Sequence, residues 1–103
     1  MTTLSENMNK LINGYKKMAD DNKSFAPELV DMYMDDRQSF VEVRNWIEAE
    51  ILDEAKIVID NMDSTPCEEI LVAICKDFSI EWVADNLGYN VKPSAVAHPF
   101  TLV

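Results

Sequence analysis

The sequence predicts an all-α protein: a small irregular bundle of about five helices followed by an irregular C-terminal segment over residues 88–103. Three observations predict it. Apolar residues recur at three- and four-residue steps through most of the chain, which gathers them on one side of an α-helix. Helix-boundary signals punctuate that pattern, at Ser39, Thr65-Pro66, Ser79 and Gly88. With 48% apolar and 27% charged residues among 103, the composition is that of one ordinary globular domain spanning residues 1–103.

The first helix is expected over residues 4–21, with Leu4, Met8, Leu11, Ile12, Tyr15 and Met18 on one face and Thr3 as N-cap. Gly14 lies inside it at a cost of about 1 kcal/mol relative to Ala. Lys10, Lys16 and Lys17 give it a basic outer side that can lie against the acidic remainder of the chain.

After a polar joint from Asp20 to Lys23, Ser24 to Pro27 opens a second helix, since proline is tolerated in a first turn that has unpaired N–H groups anyway. It runs from Glu28 to Arg37, with apolar Leu29, Val30, Met32, Tyr33 and Met34 wrapping most of its circumference. The Asp35-Asp36 pair ends it.

The longest helix is expected from Phe40 to Met62. Ser39 and Glu42 have the spacing of a capping box, in which each side chain satisfies an otherwise orphaned backbone N–H. Phe40, Ile47, Ile51, Ala55, Val58 and Met62 form its core stripe; Glu42, Asp53 and Asp60 lie opposite, flanked by Glu50. Trp46 and Ile57 fall beside these acids. A second apolar strip among carboxylates implies a packing partner, either another helix or another protein.

Asn61 to Thr65 forms the next turn, and Thr65-Pro66-Cys67-Glu68 again carries capping chemistry with proline at the first helical position. The helix over residues 66–78 has almost no polar face after its first turn and is expected to be the most buried element. Its acids Glu68 and Glu69 are accounted for by the helix dipole. Ser79 caps a short last helix, Ile80 to Leu87, closed by Gly88 as a left-handed residue. The segment beyond contains Pro93 and Pro99 and no helical period; Pro99, Phe100, Leu102 and Val103 are its candidates for packing on the body.

Charge is the unusual property. Nineteen acids against nine bases leave a net −10. Residues 28–85 hold sixteen of the acids and four of the bases, so the acidity belongs to the helical body. Such a surface repels nucleic acid and anionic membrane, which both require Lys or Arg to replace counterions. A basic-surfaced protein is the favoured partner, because complementary fields speed encounter. Solubility alone also accounts for dispersed surface acids.

Two cysteines, Cys67 and Cys75, lie in one expected helix at roughly 12 Å separation, beyond disulfide reach. They read as reduced, and with no apolar run in Met1–Lys10 to act as a signal and none long enough to span a bilayer, a cytoplasmic location is expected.

Residues 69–87 resemble the outline of a helix-turn-helix, with Ala73 and Val83 facing inward. A recognition helix presents donors to base edges and phosphates. Here the second helix offers Glu81, Trp82 and Asp85, with Asn86 the one candidate reader, so DNA binding is not expected. The carboxylates suggest DNA mimicry instead. A helix over residues 40–62 spans about 33 Å, where duplex DNA presents about 19 charges. Its own six acids do not reach that density, so mimicry draws on Asp31, Asp35 and Asp36 before it and on Glu81 and Asp85 after it. In size and composition the chain resembles small phage-encoded inhibitors of host nucleic-acid enzymes.

Catalytic signals are poor. His98 is the single histidine and precedes Pro99 in the loosest segment, so no nucleophile–histidine pairing is legible. The cysteine spacing does not suit zinc, no calcium loop is present, and two glycines do not build a phosphate-cradling loop. The sequence therefore reads as a non-enzymatic acidic binding module without cofactor or metal, an inhibitor of a basic, nucleic-acid-handling protein. Its candidate contact residues are Asp31, Asp35, Asp36, Glu42, Trp46, Glu50, Asp53, Ile57, Asp60, Glu81, Trp82 and Asp85. The alternative is a small homo-oligomeric or adaptor subunit, a homodimer for example, that uses Trp46 and Ile57.

Overall fold

The computed structural model describes residues 5–97, which form six α-helices and no strand. These are α1 (Glu6–Asp21), α2 (Pro27–Glu48), α3 (Leu52–Asp60), α4 (Ser64–Asp77), α5 (Ile80–Leu87) and α6 (Pro93–Ala97). The expected cap Thr3, the first stripe residue Leu4, and His98, Pro99, Phe100, Leu102 and Val103 lie outside the described residues.

α1 buries Met8, Leu11, Ile12 and Tyr15 of the face its spacing predicts, together with Ala19, while Met18 of that face is half-buried. Lys10, Lys16 and Lys17 pair with Glu6, Asp20 and Asp21 of the same helix, at 3.7, 3.1 and 2.7 Å, rather than reaching across to the acidic body.

The middle of the chain differs from the expectation in two linked ways. Asp35-Asp36 does not end a helix; α2 continues through it for 22 residues, and Ser39 is an interior residue whose Oγ lies 3.4 Å from the Asp35 carbonyl. No glycine or proline interrupts residues 28–48, and burial of Phe40, Val43 and Ile47 draws the continuous helix across α1. The helix then stops at Glu48, where the sequence predicts none. Glu50 takes φ 61, its N–H donating to the Ile47 carbonyl at 3.0 Å, while the Ile51 N–H donates to the Trp46 carbonyl at 2.9 Å. This is a Schellman closure with glutamate in the left-handed position usually held by glycine. Turning the chain here brings Ala55 and Ile59 of α3 into full burial, whereas Ile51, expected on the core stripe, is 43% exposed.

α4 is the centre of the fold, with every residue from Ile70 to Cys75 buried, as its apolar run predicts. It begins earlier than Thr65: Asp63 is the N-cap residue and Pro66 sits buried at the third helical position. α5 follows its local signals, since Ser79 Oγ accepts the Trp82 N–H at 2.9 Å and Gly88 closes the helix at φ 75. α6, which packs on α4, was not expected: proline at the first position supplies a helical φ to a segment that has no amphipathic period.

One apolar cluster joins these elements, with Met8, Leu11, Phe40, Val43, Ile59, Ile70, Ile74, Val83 and Leu87 almost wholly buried. Tyr15 stands edge-on to Phe40 and Tyr33, at ring separations of 4.8 and 6.0 Å, and locks α1 against α2. Among the described residues, no helix is long and apolar enough to cross a membrane.

Candidate functional site

The continuity of α2 reorganises the acidic residues. Glu28, Asp31, Asp35 and Glu42 follow one another at steps of three, four and seven, so an unbroken helix carries them on a single line about 21 Å long. All four are exposed. The sequence divides them between two helices; the structure joins them. None forms an ion pair with a described residue, because four of the five ion pairs are made by the lysines of α1 and its following turn and the fifth joins Lys56 to Asp60. Over its roughly 33 Å, α2 carries six acids and two arginines, Arg37 and Arg44, where duplex DNA has about 19 charges, so its field is that of a sparse polyanion.

The remaining candidates separate. Trp46 is half-buried and lines a shallow depression with Glu42, Asn45 and Ala49, which keeps it beside the acidic line. The helical register that set Ile57 next to it does not exist, because α2 and α3 are different helices. Ile57 is 54% exposed on α3, where Asp53 and Asp60 are exposed too, the Asp60 carboxylate 3.1 Å from Lys56 Nζ. Glu50 and Trp82 meet in another groove, of about 340 Å³, whose wall includes Ile47, Leu52 and Phe78. There the Trp82 and Phe78 rings stack at 4.3 Å. Glu81 and Asp85 are exposed on α5.

Asp36 departs most from its expected place. It lies on the same side of α2 as Phe40, Val43 and Ile47, and so points toward α1 and α4. It enters a groove of about 410 Å³ with Tyr15 and Met18 of α1, Met32 and Tyr33 of α2, and Asp63, Thr65, Pro66 and Glu69 at the start of α4. Neither Asp63 nor Glu69 stands out in the sequence as a site residue. Because α4 begins at Ser64, Glu69 lies beyond the first turn, and the helix-dipole account of it does not apply. Its Oε1 accepts the Tyr15 hydroxyl at 3.0 Å, while its Oε2 is buried with no hydrogen-bond partner. Such an orphaned oxygen is costly.

The electrostatics follow from this crowding. Burial pushes the Glu69 carboxyl above the ordinary glutamate range, and nearby Asp36 and Glu68 push the same way against the Tyr15 hydrogen bond. Asp36 is also raised, by burial first and then by Asp63 and Asp35. Tyr15 is raised above the usual phenol range by burial and by Glu69. Among the described residues, no Lys or Arg lines the groove. Among the described residues, no three carboxylate, thiol or imidazole groups are placed to hold a metal ion, so these acids share a wall rather than a coordination point. The thiols are both free; Cys67 is half-buried and Cys75 buried, and burial raises both above the ordinary thiol range, which makes them weak nucleophiles.

No protein-family model, no curated protein and no solved structure matches this chain.

Proposed function

We propose that this protein is a non-enzymatic acidic module that binds, and thereby inhibits, a basic-surfaced protein that handles nucleic acid. The observation that carries the reading is the exposed line Glu28, Asp31, Asp35 and Glu42 along the solvent side of α2, none of them in an ion pair with a described residue. Fixed on one rigid helix, these carboxylates present a field that a groove built for phosphates would accept. Occupying that groove excludes the nucleic acid, which makes the inhibition a form of DNA mimicry at reduced charge density. Trp46, beside Glu42, is the apolar anchor at one end of the line. The free cysteines support a reducing, cytoplasmic setting.

The test is affinity capture from cell lysate with the wild type and with a variant carrying Asp31→Asn, Asp35→Asn and Glu42→Gln. Captured proteins are expected to be basic and to be released by added duplex DNA. They are also expected to fall away between about 0.05 M and about 0.3 M salt, as screening shortens the reach of the charges. Retention of the same proteins by the neutralised variant at both salt concentrations defeats the proposal.

A separate observation favours the second reading. Ile51 and Ile57 are 43% and 54% exposed at the α2–α3 elbow and on α3, an apolar exposure that suits a homodimer or adaptor contact. Sedimentation distinguishes the two, since apolar self-association persists in high salt and is abolished by Ile57→Ser.

A further inference from the structure

We infer that the first half of α2 is the docking face for a basic amphipathic helix of the partner protein. The inference rests on the proposed function and names the element that the partner brings. The acidic line supplies the field, and this face supplies the apolar contact.

The face arises from a mismatch of lengths. α2 and α3 meet at the elbow around Glu50 and pack on each other. α3 has 9 residues, about 14 Å, against about 33 Å for the 22 residues of α2. α2 therefore runs on past the end of α3. Its inward stripe is one continuous series, Leu29, Met32, Asp36, Phe40, Val43 and Ile47, at steps of three and four. Phe40, Val43 and Ile47 belong to the core cluster, which includes neither Leu29 nor Met32. Leu29 is half-buried, and Met32 is 47% exposed. Met18 of α1 lines the same groove as Met32, and Phe25, 76% exposed, stands in the turn that leads into α2. The stripe that folds the second half of the helix thus continues over the first half without a third helix to cover it.

Charge selects the occupant. On α2 the neighbours of Met32 four positions before and three and four positions after are Glu28, Asp35 and Asp36. Asp63 lines the groove beside Asp36. None of these four is in an ion pair with a described residue. An apolar strip bordered by carboxylates matches a helix whose apolar stripe is flanked by Lys or Arg. Met18 and Met32 are unbranched and adapt to the side chains of an incoming helix. A second copy does not fit. A two-fold contact would set these carboxylates against their counterparts, and Arg37, five positions from Met32, lies on another side of α2. An anionic membrane is repelled by the same charges. An extended segment finds no strand edge among the described residues to pair with.

The experiment uses the full chain and three peptides of about four helical turns. The first carries leucine on one face and lysine on the other, the second has the same composition in scrambled order, and the third has glutamate in place of lysine. Carbon-13 NMR follows the methionine methyls, and circular dichroism follows helix formation by the peptide. The first peptide is expected to gain helix and to shift Met18 and Met32 saturably, while the buried Met8 stays in place. It is expected to bind at least about tenfold more tightly than either of the others. Phe25→Ser with Met32→Ser changes exposed positions outside the core and is expected to weaken binding about tenfold. Ile57→Ser, equally exposed but on α3, is expected to leave it unchanged.

Equal binding of the scrambled or the glutamate peptide overturns the inference. So does the absence of a saturable shift at Met32, or an equal loss with Ile57→Ser. Sedimentation that shows a dimer abolished by Met32→Ser makes a second copy the occupant and overturns it. Pelleting with phosphatidylserine vesicles that depends on Phe25 and Met32 does the same in favour of a membrane. Lysate capture that fails while the lysine peptide binds removes the proposed function and leaves the docking face. Capture that succeeds while the peptide does not bind removes this inference alone.

Discussion

Asp77, the last residue of α4, accepts the backbone N–H of Asn7 in the first turn of α1 at 2.7 Å. The same carboxylate accepts the Met8 N–H at 3.0 Å and the Asn7 Nδ2 at 2.9 Å. Ser5, at the N-cap position of α1, makes no capping bond; its Oγ donates to Glu48 Oε2 at 2.6 Å and ties α1 to the end of α2 instead. Asp77 therefore caps a helix seventy residues away in sequence.

Asp77→Ala leaves those N–H groups without their acceptor, and we expect a loss of about 2 kcal/mol. Asp77→Asn retains one acceptor oxygen and should lose about half as much. Urea denaturation checks this: the midpoint falls while the slope stays constant, because the folded structure is otherwise unchanged.

Glu50→Gly should stabilise the protein by about 0.5–1 kcal/mol, because glycine adopts the left-handed φ of 61 without the steric cost that glutamate bears. Part of the gain is offset by the greater freedom of glycine in the unfolded chain. Thermal unfolding at neutral pH is the measurement. A variant that melts below the wild type would show that the Glu50 side chain has contacts outweighing its backbone strain.

The groove acids give stability a defined pH dependence. Glu69 and Asp36 hold their protons more tightly folded than unfolded, so their contribution is complete below the unfolded carboxylate range of about pH 4. It is lost as pH rises through their folded values. Glu69→Gln keeps an acceptor for the Tyr15 hydroxyl and cannot ionise. Its urea midpoint should match the wild type at about pH 4 and exceed it at about pH 8. Tyr15 is raised in the same sense, so stability should fall again above the phenol range of about pH 10, a fall that Tyr15→Phe removes.

The two ends of α5 should respond independently. Ser79→Ala removes the acceptor of the Trp82 N–H and is expected to cost about 1 kcal/mol. Gly88→Ala is expected to cost about 1 kcal/mol through its φ of 75 alone, since the added Cβ meets only Lys56 Cε at an ordinary 3.8 Å. The residues sit at opposite ends of the helix with no shared partner, so the double variant should show the sum within about 0.5 kcal/mol.

The sequence by itself determined whatever depended on short-range chemistry. The all-α class, the buried face of α1, the burial of Ile70 to Cys75 in α4 and both ends of α5 follow from periodicity, an apolar run, one serine hydroxyl and one glycine. The excess of acid in the helical body is likewise a property of composition. Pro27 opens α2 as its sequence signal predicts, and only the tertiary structure decided that the helix runs through Asp35-Asp36 and ends at Glu48. The Ser39–Glu42 spacing is a local signal worth about 1 kcal/mol, and continuous packing of Tyr33, Phe40, Val43 and Ile47 outweighs it. The break at Glu50 has no local breaker and exists because burying Ala55 and Ile59 more than offsets one strained residue. That exchange of boundaries turned a divided set of carboxylates into one line and directed Asp36 inward to Asp63 and Glu69. Their meeting depends on how three helices cross, and burial over long sequence separations governs that crossing.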